Sequence, residues 1–112
     1  MTEDGIVVLP IDPGSREMGA ALFKDGKLLT VSEFRSNAQN RMWRSHAIIM
    51  ALSDWVGYTL AGSVHYRWVD LVYEDPSYFT PREHGQARPI QALERMVGML
   101  EYWGMSRDMP VF

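Results

Sequence analysis

Apolar and polar positions change their spacing several times along the 112 residues, and each change marks an element. Residues 5–11, Gly-Ile-Val-Val-Leu-Pro-Ile, are a short run rich in β-branched side chains, which predicts a buried strand. Pro10 has no N–H to give a ladder, so this strand is expected to carry an irregular or unpaired position there. Residues 12–15, Asp-Pro-Gly-Ser, have the composition of a turn. Residues 18–24 and 27–34 read as two further strands, and the Asp25-Gly26 pair between them is a strong short-range hairpin signal. From residue 40 to 60 the period becomes helical, with Met42, Ile49, Leu52, Val56 and Leu60 on one stripe and Gly62 as the stop. Residues 69–74 predict a fourth strand ended by Asp75-Pro76, and residues 77–86 a polar loop. A second helix is predicted over 87–102, with Pro89 in its first turn, Ile90, Leu93, Val97 and Leu100 facing the core, and Gly104 closing it. Residues 109–112, Met-Pro-Val-Phe, look like the opening of one more strand.

The order β-β-β-α-β-α-β predicts an α/β fold: an antiparallel three-strand meander continued by parallel strands, with helices packed on the faces of the mixed sheet. A chain of this length makes one domain, 1–112, large enough to bury a core without staples. Cysteine is absent, so disulfides, thiolate zinc sites and thiol nucleophiles are excluded together. The polar, acidic start is unlike a signal peptide, and no apolar run approaches the roughly 18 residues a bilayer span needs, so the expected compartment is the cytoplasm, with no membrane partner.

A net charge of −3 excludes a bulk polycation that holds nucleic acid through total charge. The distribution is more informative. Nine of the eleven basic residues are Arg, and they cluster as Arg35, Arg41 and Arg44 and as Arg82 and Arg88 around His84. The planar guanidinium fork suits phosphate, so such clusters are consistent with a local anion site or with a solvated face laced with ion pairs.

Two acids stand where strands stop: Asp12 after Ile-Val-Val-Leu-Pro-Ile and Glu74 after Val-Asp-Leu-Val-Tyr. A carboxylate at the end of a buried strand is rigidly held and partly desolvated, which is costly without a compensating cation or donor. Two of them on neighbouring strands repel, and a divalent ion removes the conflict. Magnesium fits best, with manganese as a substitute, because it takes hard oxygen ligands and needs only one or two carboxylates beside water and phosphate. The alternative for each acid is a turn or helix cap.

The surroundings of Asp12 carry a resemblance. Ile11-Asp12-Pro13-Gly14-Ser15-Arg16 with Gly19 resembles the first-strand motif of the RuvC-type Holliday junction resolvases, in the RNase H-like superfamily. Ala21-Leu22-Phe23 with Gly26-Lys27-Leu28 is similar to the family's first hairpin, and Val72-Tyr73-Glu74 to the strand that delivers its second carboxylate. Gly85-Gln86-Ala87-Arg88 is similar to the start of its next helix, and residues 109–112 to the start of its fifth strand. The resemblance implies a structure-selective DNA endonuclease of recombination and repair that cleaves phosphodiesters at branched DNA with two magnesium ions, usually as a homodimer. It implies that Asp12 and Glu74 are catalytic metal ligands and that Ser15 and Arg16 contact backbone phosphate, although Ser15 also suits a local turn hydrogen bond.

The family completes its site with two more acids, or a His and an acid, on a helix after the fifth strand, and nothing before Phe112 matches them. Glu101 and Asp108 do not fall at those positions, and Asp75 points away from Glu74 if the strand continues. The expectation is that these 112 residues, read as the N-terminal part of such a fold ending at about the fifth strand, lack efficient two-metal cleavage alone. A catalytically incomplete nucleic-acid-binding module is therefore the alternative. The family often has an aromatic shortly after its second acid. Here Ser77 falls near that place, and Tyr78-Phe79 follow, either to stack on unpaired bases or to pack against the second helix. Arg82, His84 and Arg88 are the candidate phosphate contacts on the same rim. His46, His65 and His84 have no metal-ligand spacing, and Trp43, Trp55, Trp68 and Trp103 with eight Met read as core or interface material, including a candidate dimer face.

Overall fold

A computed structural model of the chain describes residues 6–14, 17–61, 65–73 and 87–112. The elements in chain order are β1 (Val7–Asp12), β2 (Glu17–Lys24), β3 (Lys27–Arg35), α1 (Arg41–Leu60), a 3-10 turn (Tyr66–Trp68), β4 (Val69–Tyr73) and α2 (Ala87–Ser106). The sheet order is β3-β2-β1-β4. The first three strands form the expected antiparallel meander, and β4 lies parallel to β1 on its other side. The predicted last strand begins beside β4 as a parallel bridge, Leu71 to Val111. There the Leu71 N–H donates to the Pro110 carbonyl and the Phe112 N–H to the Leu71 carbonyl, both at 2.9 Å.

Local chemistry explains most boundaries. Asp25 and Gly26 both have positive φ, 53° and 80°, as a two-residue hairpin turn matched to strand twist requires. Pro10 acts as expected. The β1–β2 ladder pairs Val7 with Lys24 and Val8 with Phe23, omits Leu9 and Pro10, and resumes at Ile11 with Ala20 in the same register. On the β4 side Pro10 stays in register with Val72. Asn40 caps α1, its side-chain oxygen accepting from the N–H groups of Met42 at 2.9 Å and Trp43 at 3.2 Å.

α1 ends at Leu60, the expected bound, and Gly62 lies outside the described residues. The left-handed cap is Ala61, at φ 48°, whose N–H returns to the Gly57 carbonyl. An L-residue in that region costs about 1–2 kcal/mol, most of which glycine avoids. Ala61→Gly is accordingly expected to stabilise the fold by about 1 kcal/mol, read as a rise in the urea midpoint with an unchanged m-value.

The core lies between one face of the sheet and both described helices. Val7, Leu9 and Ile11 of β1, Leu22 of β2 and Leu71 of β4 pack against Leu52 and Val56 of α1 and Met96 and Leu100 of α2. Two expectations are corrected. Met42 is not on the buried stripe of α1 but 71% exposed, and Ile48 takes the core position instead. The second helix runs four residues past residue 102, and Gly104 sits inside its last turn against Leu71 and Val111 instead of closing it. The tryptophans divide: Trp103 is buried, Trp55 stacks edge-on to Phe34, and Trp43 and Trp68 are exposed. Among the described residues no helix is long and apolar enough to cross a membrane.

Candidate active site

Asp12 is the last residue of the central strand, and strand alternation decides which way it faces. Val7, Leu9 and Ile11 are buried under the helices, so Val8, Pro10 and Asp12 lie on the opposite face, where Asp12 is exposed. It pairs across β2 with Gly19, and a shallow groove of about 340 Å³ runs beside it along Pro10 and Ala21. Just beyond it, Gly14 comes close to the start of β2, since a Cβ there would run into the Glu17 carbonyl oxygen. No described residue donates a hydrogen bond to the Asp12 carboxylate or pairs with its charge, so the turn-capping alternative has no described donor.

On the other side of Asp12 the parallel register pairs Ile11 with Tyr73, the last described residue of β4. Tyr73 faces the helices, and its hydroxyl donates to the Glu101 carboxylate of α2. Glu101 therefore belongs to the layer opposite Asp12, in keeping with its omission from the candidate site. Glu74 lies outside the described residues, as do Ser15, Arg16, Asp75, Ser77, Tyr78, Phe79, Arg82 and His84. Arg88 is in the first turn of α2, but its side chain is likewise outside the description. Among the described residues no group of three or more His, Asp or Glu is assembled to hold a metal ion. His46 packs edge-on to Trp43 with ring centroids 6.1 Å apart, and His65 is the exposed cap of the 3-10 turn.

Of the first arginine cluster, the Arg35 and Arg44 side chains are described. Arg35 and Arg44 line a polar cavity of about 630 Å³ with Gly14, Asn37 and Gln39, at the same end of the sheet as Asp12. The Arg35 guanidinium, however, binds Glu17 at 2.7 Å and Glu33 at 3.0 Å. Two carboxylates offset its charge, and exposed pairs of this kind contribute about 0–1 kcal/mol, so Arg35 follows the solvated ion-pair reading. The sequence signal for the cavity was the spacing of the arginines. Its neutralisation depended on cross-strand register, which places Glu17 opposite Arg35.

Two structures of Thermus thermophilus RuvC share this fold, each with a TM-score of 0.54 over 96% of the present chain. They are RuvC in complex with a Holliday junction substrate, at 18% identity, and a second RuvC structure, at 20%. The chain spans 62% of the length of either RuvC chain. A Bacteroides thetaiotaomicron protein with an actin-like ATPase fold aligns with a TM-score of 0.53 at 11% identity, over 97% of this chain and 33% of its own. No family model matches the sequence, and no curated protein matches it. At these identities the likeness is one of fold: an α/β mixed sheet shared with the two RuvC structures, here with Asp12 at the exposed end of β1.

Proposed function

We propose that the chain is a RuvC-like, magnesium-dependent module acting on branched DNA, with Asp12 and Glu74 as the first two carboxylates of a nuclease site. One observation carries the reading. Asp12 is an exposed carboxylate without a described partner at the end of the central strand, and β4 runs parallel beside it with Tyr73 opposite Ile11. Glu74 follows Tyr73 in the sequence as Asp12 follows Ile11, and the reading takes it as the partner carboxylate. Their oxygens are hard donors of the kind magnesium or manganese takes, and the pair supplies the one or two protein ligands such an ion needs. When bound, the cation supplies charge neutralisation and Lewis-acid polarisation of a phosphodiester.

The chain's own residues supply position. Asp12 is held on rigid strand backbone, and on this reading Ser15 and Arg16, which follow it in sequence, would contact backbone phosphate. Tyr78 and Phe79 would offer stacking surface to unpaired bases, and Arg82, His84 and Arg88 would be further phosphate contacts. A four-way junction has two-fold symmetry, so the reading implies a homodimer presenting two such rims.

The decisive experiment compares a four-way junction with linear duplex of the same length, in magnesium and in EDTA. Preference for the junction that magnesium strengthens is expected. Equal affinity for the two DNAs with no effect of magnesium would overturn the reading. Cleavage that disappears in Asp12→Asn would identify the nuclease, whereas magnesium-strengthened binding without cleavage would identify the binding module. For the rim, Arg82→Ala with Arg88→Ala is expected to weaken all DNAs alike and to reduce the salt slope of log K by about 2, as loss of two phosphate contacts requires. An unchanged slope would remove these residues from the track.

A further inference from the structure

The outer side of the helical layer carries a feature that the DNA site does not use. Between α1 and α2 runs an open groove of about 610 Å³, walled by Met42 and Ile49 on one side and Met99 and Tyr102 on the other. From Arg95 to Ser106 it follows α2 for three turns, about 16 Å, the length of a helix of about 11 residues. Met42 and Tyr102 are 71% and 77% exposed, so the walls are apolar and open to solvent together.

Three observations say what fits there. The first concerns Gly98, which lies on the groove in the interior of α2. A Cβ built there would touch nothing within 4 Å. A glycine in a helix interior weakens the helix, and no described neighbour requires this one, so its effect is to leave room for close approach from outside. Second, the polar groups along the groove are donors. Among the described residues Arg95, Arg107 and His46 line it and no Asp or Glu does. Arg107 is fixed in place, its Nη2 donating to Ser53 Oγ and its Nη1 to Ser106 Oγ, each at 3.2 Å. Its guanidinium lies 5.5 Å from the ring centroid of Trp103 and 5.9 Å from that of Tyr66. Third, Trp103 also lines the groove with only 5% of its surface exposed and lies beneath the Arg107 guanidinium, so it adds an apolar ring, not a polar contact, to the lining.

We propose that this groove is the docking site for an amphipathic helix of a partner protein, one whose apolar stripe is flanked by carboxylates. The stripe lies over Gly98 between Met42 and Met99, and the carboxylates meet Arg95 and Arg107. The arrangement is that of an amphipathic helix seated in a groove, with charge complementarity setting its orientation.

The test uses the full 112-residue chain labelled with 15N and two synthetic 14-residue helical peptides. Both carry Leu at i, i+3, i+4 and i+7, flanked by Glu in one and by Lys in the other. Trp103→Phe identifies the Trp103 indole signal among the four tryptophans. The Glu peptide is expected to saturate at one per chain and to shift the Trp103 indole signal, since that ring lines the groove. The Lys peptide should bind at least tenfold more weakly. Arg95→Glu should reverse that preference. Gly98→Leu, which fills the groove, should weaken the Glu peptide at least tenfold while the melting temperature stays level or rises, separating occlusion from misfolding. Equal binding of the two peptides, or saturation without movement of the Trp103 signal, would overturn the proposal. So would self-association of the chain that moves that signal in the absence of peptide, because a second copy would then be the occupant.

Discussion

Asp12→Asn is expected to tighten binding of branched DNA about two- to threefold in EDTA and to abolish the gain in affinity that magnesium gives the wild-type chain. The two signs come from one cause. An exposed carboxylate at the rim repels the phosphates that Ser15, Arg16 and the Arg82–Arg88 segment are proposed to attract. In a water-like dielectric one such repulsion at about 7 Å amounts to about 0.6 kcal/mol, a factor of two to three, which removal of the charge recovers. With magnesium present the same carboxylate anchors the ion that neutralises the phosphate. Loss of a direct ligand should cost at least the 10–100-fold typical of a residue that merely supports one. Since Asp12 is exposed and has no described partner, its replacement should leave stability within about 0.5 kcal/mol, so the binding changes cannot be attributed to unfolding. Fluorescence anisotropy across a magnesium titration checks both signs. An Asn variant that matches the wild type in EDTA and keeps its magnesium gain would place the cation elsewhere.

The largest loss of stability is expected where α2 meets β4. Leu71 is fully buried, sits opposite Leu9 in the parallel register and bridges to Val111, so it joins the central strand to the end of the chain. Leu71→Ala should cost about 3–4 kcal/mol. That is a large fraction of the roughly 5–15 kcal/mol a domain of this size has. Gly104 lies over the same side chain: a Cβ there would stand 2.7 Å from Leu71 Cδ2 and 3.3 Å from Val111 Cγ2. A leucine terminus can often shift, but this one is packed in the core, so Gly104→Val should cost about 2–3 kcal/mol through overpacking. Valine is chosen because its intrinsic helix gain over glycine is small beside that cost. Truncating Leu71 makes the space that the added valine side chain needs, and the double variant should therefore be more stable than the sum of the singles by at least about 1 kcal/mol. Urea unfolding of the four proteins measures this coupling. Simple additivity would mean that the helix and strand adjust independently.

The strands were legible because their signals are local. Alternation, the Asp25-Gly26 turn and the Pro10 gap all act within one or two residues, and the start of α1 was marked by a side chain that caps its own helix. Asp12 was legible for the same reason, as a polar residue ending an apolar run on the solvent side of the pleat. What escaped depends on partners distant in sequence. Gly104 has the composition of a helix stop, and only Leu71, 33 residues earlier, turns it into a contact of close approach. Met42 fits the apolar stripe of α1, yet the core is filled at that end by Ile48 and Ile49, and the first turn of the helix projects beyond it. Arg35 was paired by register with Glu17, which no spacing along the chain could reveal.

The central claim is that Asp12 and Glu74 share one divalent ion, and manganese titration followed by electron paramagnetic resonance tests it most directly. Wild type, Asp12→Asn, Glu74→Gln and the double variant should be compared at the same protein concentration. One manganese site per chain is expected in the wild type, lost in either single variant, with the double variant no weaker than the singles because a shared site can be lost only once. Retention of wild-type affinity in either single variant would contradict the shared site and with it the magnesium-dependent reading of this fold.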